Sequence, residues 1–309
     1  MSPPPVVAVV GPTAAGKSDL GLALAQELGG EVINADSMQL YRGMDIGTAK
    51  LTEEERQGVA HHLLDIWSVR DAANVADYQQ RARAVIDELR ADGRVPVLVG
   101  GSGLYVRAVL DQLEFPGTDP EVRAHLEAEL ADVGSGELHR RLTDVDPAAA
   151  AAILPSNGRR IVRALEVIEL TGGPFTASLP DQTDVYDAVL IGVDRPSPEL
   201  DERIGRRVER MWEQGLVDEV RQLETEGLRE GITASRALGY AQVLELLSGE
   251  RSELEAREAT ATATRRFARR QRSWFRREPR TIWLEGGRSD MVTTALALIR
   301  ERWCNEPVG

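Results

Sequence analysis

Gly11-Pro12-Thr13-Ala14-Ala15-Gly16-Lys17-Ser18 matches the phosphate-loop pattern G-x-x-x-x-G-K-[ST]. The residues before it, Val6 to Val10, form a short apolar run that reads as a buried parallel strand. Those after it, Ser18 to Leu28, set Leu20, Leu24 and Leu28 at helical spacing. Strand, glycine loop and helix are the context the pattern requires. Loop N–H groups and the helix N-terminus can then surround a phosphate, with Lys17 neutralising it and Ser18 able to ligate Mg²⁺. Lys17 is one of only two lysines in a chain with 35 arginines. A compact ammonium fits inside a closed loop where a planar guanidinium is too bulky.

Working outward, four further segments read as strands: Val32–Asn34, Val95–Val99, Val189–Val193 and Thr281–Leu284. Helical patterns separate most of them, as in Val75–Arg90 with Val85, Ile86 and Leu89 inward. Alternating strands and helices predict an α/β fold, a phosphate-loop-containing parallel sheet with helices on both faces. The interval between the third and fourth strands is too long for a simple crossover. It is mostly helical, broken at Pro116-Gly117, Asp119-Pro120, Pro155-Ser156-Asn157-Gly158 and Gly172-Gly173-Pro174, and predicts an inserted, mainly helical domain over 115–186. The core domain is then 1–114 with 187–309. Its last third resumes with helices over Pro198–Glu213, Leu216–Glu224, Ala234–Leu247 and Ser252–Arg277.

Composition excludes several classes. No apolar stretch approaches the roughly 18 residues of a membrane span, and Met1-Ser2-Pro3-Pro4-Pro5 lacks a basic region and cleavage site. With Cys304 alone, an internal disulfide and a multi-cysteine zinc site are excluded. The expectation is a cytoplasmic protein without a membrane partner, working as a monomer. The net charge of −13 argues against a nucleic-acid partner until its distribution is read: Arg265 to Arg280 holds eight arginines against one acid, Glu278. Such a protein can repel polyanions everywhere except at one place.

Several residues could carry chemistry. Asp36 directly follows the second strand, on the edge that also bears the phosphate loop, where a carboxylate could hold Mg²⁺ through water or act as a general base. Gly100-Gly101-Ser102-Gly103 follows the third strand on the same edge; its glycines permit close backbone approach and Ser102 offers a hydroxyl. Asp45-Ile46-Gly47-Thr48-Ala49-Lys50 contains the other lysine, in either a surface loop or a phosphate or RNA contact. His61-His62 lacks nearby cysteine or a third histidine, which argues against zinc. Arg265, Arg269, Arg272, Arg276 and Arg280 fall on one stripe of a helix extended that far, with Arg266, Arg270 and Arg277 beside it. With almost no acids on that face, the stripe is expected to need a polyanion, and a phosphodiester backbone is favoured over a solvated surface.

Taken together, the phosphate loop, Asp36-Ser37-Met38-Gln39-Leu40-Tyr41-Arg42-Gly43-Met44-Asp45-Ile46-Gly47-Thr48-Ala49-Lys50 and His61-His62-Leu63-Leu64-Asp65 resemble the bacterial tRNA dimethylallyltransferases. Gly100 to Tyr105, Arg163-Ala164-Leu165-Glu166-Val167 and Arg269-Arg270-Gln271-Arg272-Ser273-Trp274-Phe275 extend the resemblance from about Val6 to Leu284. The family implies transfer of a dimethylallyl group from its diphosphate to N6 of the adenosine immediately 3′ of the anticodon, position 37 of tRNA. The loop, through Gly11, Thr13, Ala14, Ala15, Gly16, Lys17 and Ser18, would then grip a diphosphate leaving group with Mg²⁺, aided by Arg203 or Arg207. Without the resemblance, a small-molecule kinase binding ATP there is the alternative. Asp36 would take the amine's proton, and Ser102, where the family usually has threonine, would place that amine. Asp36, Ser37, Met38 and Gln39 would receive the flipped base. Arg123, Arg159, Arg160 and Arg163 from the insertion, and Arg265, Arg269, Arg272 and Arg276, would hold the anticodon stem-loop. Two departures stand out: Ser156-Asn157-Gly158-Arg159-Arg160 replaces the family's frequent Asn-Asp-x-Gln-Arg, and Ala15 replaces a frequent serine.

Overall fold

Alternate residues of the first strand, β1 (Val7–Val10), are buried on opposite sides: Val7 and Val9 join one apolar cluster, Ala8 and Val10 another. A strand apolar on both faces needs cover on both, which is the condition of a parallel sheet clothed in crossover helices. The computed structural model describes residues 3–175 and 183–304. In chain order its elements are β1, α1 (Lys17–Leu28), β2 (Glu31–Asn34), β3 (His61–His62), α2 (Val75–Ala91), β4 (Pro96–Val99), α3 (Gly103–Leu110), α4 (Pro120–Val145), α5 (Pro147–Ala152) and α6 (Gly158–Thr171). They continue with β5 (Val189–Asp194), α7 (Ser197–Glu213), α8 (Leu216–Thr225), α9 (Tyr240–Leu247), α10 (Glu253–Phe275), β6 (Ile282–Glu285) and α11 (Met291–Cys304). All strand pairs are parallel, in the order β3-β2-β4-β1-β5-β6. β1 therefore lies at the centre, between β4 and β5, and the loops leaving β1, β2 and β4 open on one edge.

On one face Leu20 and Leu24 of α1, Leu200 and Ile204 of α7, and Ala295 and Ile299 of α11 pack on Val7, Val9, Val97 and Ile191. On the other, Tyr78 and Ile86 of α2, Tyr105 and Val109 of α3, and Tyr240 of α9 pack on Ala8, Val10, Ile33 and Leu98. Both surfaces lose water, so each strand reads as a continuous apolar run rather than an alternating one. Among the described residues, no helix is long and apolar enough to cross a membrane.

The chain divides into two compact units, Gln112–Thr183 and the remainder. The former has its own core, in which Leu126, Leu138 and Leu142 of α4 meet Ile161 and Leu165 of α6. α4 breaks at Gly134, whose φ of 81° is left-handed and favours glycine. Its limits fall slightly before the expected 115–186. An antiparallel bridge between Asp111 and Asp184, with Val185 N donating to Leu110 O at 2.7 Å, already belongs to the core unit. Arg280 ties that bridge down: its guanidinium lies 2.8 Å from Asp111 Oδ1 and 3.3 Å from Asp184 Oδ2, with Glu278 at 2.7 Å.

Three elements differ from the sequence expectation. The helix expected over Ala234–Leu247 is a short 3₁₀ turn, Ala234–Arg236, followed by α9, because Gly239 adopts φ 88° between them. The helix expected to Arg277 ends at Phe275, so Arg276, Arg277 and Arg280 lie beyond its regular turns. The pair His61–His62 is an edge strand, too short for an alternation to reveal.

Candidate active site

The phosphate loop forms where β1 ends. Gly11 (φ 133°) lies so close to β5 that a Cβ there would collide with Val193 O. Ala14 (φ 64°) and Gly16 (φ 110°) reverse the chain into α1. No side chain caps that helix, which leaves its N-terminal dipole facing the cavity. Lys17 Nζ curls back to donate to Pro12 O at 2.9 Å. Crowding by protein lowers the Lys17 pKa to about 8; the Asp36 carboxylate opposes that shift and Arg207 adds to it.

Asp36 stands just past β2 and is bracketed by Asn34. The Asn34 amide accepts from Asp36 N at 2.9 Å and donates to Asp36 O and Leu63 O at 3.1 Å each. Asp36 Oδ1 accepts from Met38 N at 3.0 Å. Desolvation pushes its carboxyl above the ordinary range, and the Met38 N–H, Lys17 and Arg207 only partly offset this. A carboxylate so placed is a stronger base than one in water.

The loop after β4 reaches the same point. Gly100 abuts Ala35 so closely that a Cβ would strike its carbonyl. Ser102 Oγ accepts from Ser37 N and donates to Ser37 Oγ, each at 3.1 Å. From α7, Arg203 Nε donates to Ala14 O at 2.8 Å and an Arg207 guanidinium nitrogen to Thr13 Oγ1 at 3.1 Å. Burial first, then neighbouring arginines, lower both guanidinium pKa values. The sequence left a choice between these two arginines; both line one cavity of about 560 Å³ with Lys17, Ser18 and Asp36.

Several of the expected site residues are also held by bonds within the protein. Thr13 N donates to Gln271 Oε1 at 2.8 Å, so that loop N–H is already engaged. The Met38 side chain packs against the core, and Gln39 Nε2 donates to Thr48 O at 3.1 Å, tying its amide to the following loop. Lys50 is neither at the surface nor in an anion site: buried, it bonds Asp45 Oδ1 at 2.5 Å, Asp65 Oδ1 at 2.6 Å and Tyr41 O at 3.1 Å. Glu219 accepts from Ile46 N at 2.7 Å and Tyr240 Oη at 2.5 Å, and so anchors this wall of the cavity to α8 and α9. His62 pairs with Glu31 at 2.6 Å.

The arginine stripe corrects an expectation. Its compensating acids come from β5 and α7 rather than from its own helix. Arg272 donates to Asp194 Oδ1 at 2.7 and 2.9 Å, to Arg195 O at 2.6 Å and to Ser197 Oγ at 2.7 Å. Arg276 lies 3.3 Å from Asp194 Oδ2, and Arg269 3.3 Å from Asp201 Oδ2. Arg265 bonds Asp201 O at 3.5 Å. Arg272 is thus an internal strut, whereas the side chains of Arg269 and Arg276 remain 63% and 66% exposed. Within the insertion, Arg123 and Arg163 converge on the fully buried carboxylate of Glu166, and Arg163 also donates to Pro116 O at 2.6 Å. Both thus neutralise a buried acid while remaining partly exposed, and Arg159 and Arg160 are exposed at the start of α6.

Gln271, Arg195 and Asn34 were not singled out from sequence as site residues. Only the position of Gln271 inside the arginine segment hinted at it. Arg195 Nε donates to Ala15 O at 2.9 Å, and so braces the loop from β5.

The sequence and fold have close counterparts. A tRNA dimethylallyltransferase of Thermobifida fusca is 69% identical over 301 residues, covering 96% of this chain and 94% of the relative. One from Streptomyces griseus is 71% identical over 301 residues, with 96% of each covered. The crystal structure of a tRNA isopentenylpyrophosphate transferase from Bacillus halodurans, 41% identical, superposes with a TM-score of 0.72 over 97% of this chain and 98% of that one. A eukaryotic dimethylallyltransferase acting on tRNA shares the fold, with a TM-score of 0.81 at 23% identity, over 98% of this chain and 80% of that one. The model of the IPP transferase family matches residues 39–278, from the turn that follows Asp36 to the acid that pairs with Arg280. With the phosphate loop, Asp36 and Ser102 gathered at one sheet edge, that match places the chain in the IPP transferase family.

Proposed function

We propose that this chain transfers a dimethylallyl group from dimethylallyl diphosphate to N6 of the adenosine immediately 3′ of the anticodon, acting in the cytosol. The observation that carries this reading is the meeting of two unlike chemistries in one cavity. Lys17, Arg203, Arg207 and the uncapped α1 suit a departing diphosphate, and Asp36, next to the Ser37 that Ser102 holds, suits a weakly basic amine. In the step, the N6–C1 bond forms as the C1–O bond breaks, and the electron pair leaves on the diphosphate. Fixed cations stabilise charge as it develops there. The proton lost from N6 passes to Asp36, whose desolvated carboxylate is poised to accept it. Ser102 orients the amine, and Asn34 orients Asp36 through the bonds that bracket its backbone. The target base leaves its stack to reach this depth, as bases do for enzymes that act on them.

Mg²⁺ fits the donor chemistry. Ser18 offers a hydroxyl oxygen, and Asp19 and Asp36 line the same cavity with carboxylates, the hard oxygens this ion prefers alongside substrate phosphates. When bound, it would add positive charge at the diphosphate.

The direct test incubates the protein with Mg²⁺, dimethylallyl diphosphate and unmodified tRNA, then weighs the digested nucleosides by mass spectrometry. One adenosine beside the anticodon, heavier by a dimethylallyl group, is the expected result. No gain with both substrates intact would return the phosphate loop to ATP.

The exposed arginines make a separate prediction. Arg269→Gln with Arg276→Gln is expected to weaken tRNA binding and reduce the slope of log K against log salt by roughly 1.5, each lost phosphate contact being worth about 0.7–0.9. Arg272→Gln should instead lower stability by about 2 kcal/mol, since it strips partners from the poorly exposed Asp194. Salt titration by filter binding and chemical denaturation separate the two effects. An unchanged slope in the double variant would remove Arg269 and Arg276 from the RNA interface.

A further inference from the structure

Gln271 lies on α10, the helix that carries Arg269, and is 5% exposed. Its Oε1 accepts from Thr13 N at 2.8 Å and its Nε2 donates to Gly101 O at 3.0 Å. An amide can do both at once, where the isosteric carboxylate of glutamate lacks the donor and an ammonium lacks the acceptor. The fit is closed, because a Cβ at Gly101 would collide with Gln271 Nε2 and come within 3.2 Å of Gly11 O. The gap between the two loops is therefore spanned by one side chain.

Those loops hold opposite ends of the reaction. Thr13 belongs to the loop that ends in Lys17, on the leaving-group side. Gly101 precedes Ser102, which is bonded to Ser37 beside Asp36, on the nucleophile side. The neighbouring Arg272 reaches the first loop by a second route, through Arg195 O, with Arg195 Nε on Ala15 O. The helix with exposed cations for RNA is thus bonded directly to both chemical loops.

We propose that Gln271 is a positioning residue for the transfer: it sets the distance between the diphosphate-holding and amine-holding loops, and ties that distance to α10. This rests on the prenyl-transfer reading above. Displacement at carbon requires attacking and leaving atoms in line, and a misplacement of about 1 Å costs on the order of 10²-fold in rate.

The test compares steady-state kinetics of the wild type and Gln271→Met, which keeps the side chain's length and packing but neither hydrogen bond. The expected result is a kcat lower by about 10²-fold, with KM for dimethylallyl diphosphate and for tRNA each within roughly threefold of wild type and a melting temperature lowered by only the few degrees that two lost hydrogen bonds cost. If Gln271→Met does not fold, Gly101→Ala drives a methyl into the same amide from the other side and should show the same loss confined to kcat. An active wild type with Gln271→Met at equal kcat overturns the positioning role alone. A joint fall in kcat, in affinity for both substrates and, beyond those few degrees, in melting temperature makes Gln271 a structural rivet and also overturns it. A wild type that transfers no prenyl group overturns both readings.

Discussion

Asp36→Ala is expected to lower turnover by about 10³-fold, within the roughly 10²–10⁴ a positioned general base contributes, while tRNA binding stays within a few-fold of wild type. The variant removes the proton acceptor but leaves the exposed arginines untouched. Single-turnover transfer and filter binding, measured on the same preparation, read the two quantities separately. Unchanged turnover would eliminate Asp36 as the base. The pH profile sharpens the test. Desolvation raises the Asp36 pKa, so kcat/KM should fall on the acid side at a pH above the usual carboxylate value of about 3.9. On the alkaline side it should fall near pH 8, as Lys17 loses its proton in the free enzyme. A bound diphosphate favours the ammonium, so the alkaline limb of kcat should lie higher than that of kcat/KM. Asp36→Asn should abolish the acid limb. It should also move the alkaline limb of residual kcat/KM below 8, because the carboxylate that supports the Lys17 charge is gone. An alkaline limb that does not move would mean the two groups are not coupled.

Lys17→Met is the second large effect. The ammonium is held 2.9 Å from Pro12 O within the loop, facing the cavity where the diphosphate would develop charge. Loss of one preorganised donor at such a place costs about 10²–10³-fold in rate, and the effect should appear in kcat as well as in KM for dimethylallyl diphosphate. Lys17→Arg should not restore it. A planar fork of five donors cannot occupy the point that Lys17 reaches within the closed loop, although the charge is retained. Arg203 and Arg207 already supply guanidinium groups, fixed to Ala14 O and Thr13 Oγ1, so the missing element is a compact cation. Wild-type kcat in Lys17→Arg would show that charge alone suffices there.

The distribution of arginines shows how far a linear reading carries. A helical wheel placed Arg269, Arg272 and Arg276 on one stripe and found almost no acid on the same face. The structure pairs Arg272 with Asp194, a residue 78 positions away at the end of β5. A wheel describes one helix in isolation, whereas charge compensation is settled by whatever packs against it. Lys50 repeats the lesson. The sequence left it in either a surface loop or a phosphate or RNA contact, yet its ammonium neutralises Asp45 and Asp65 inside the cavity wall. Arg123 and Arg163 do the same for Glu166.

The phosphate loop, the central strands and the positions of Asp36 and Ser102 at strand ends were legible in the sequence itself. Each depends on neighbours a few residues away: a glycine that tolerates positive φ, an apolar run buried on both faces, a residue just past a strand. Side-chain periodicity and backbone sterics act over that range and leave a local pattern. Tertiary structure alone decided which cations remain available to a ligand, and that Gln271 joins the two chemical loops across 258 residues of chain. Hydrogen bonds and ion pairs require atoms within about 3–4 Å in space and carry no signature of sequence distance, so only the folded packing of α10 and α7 against the sheet edge could settle them.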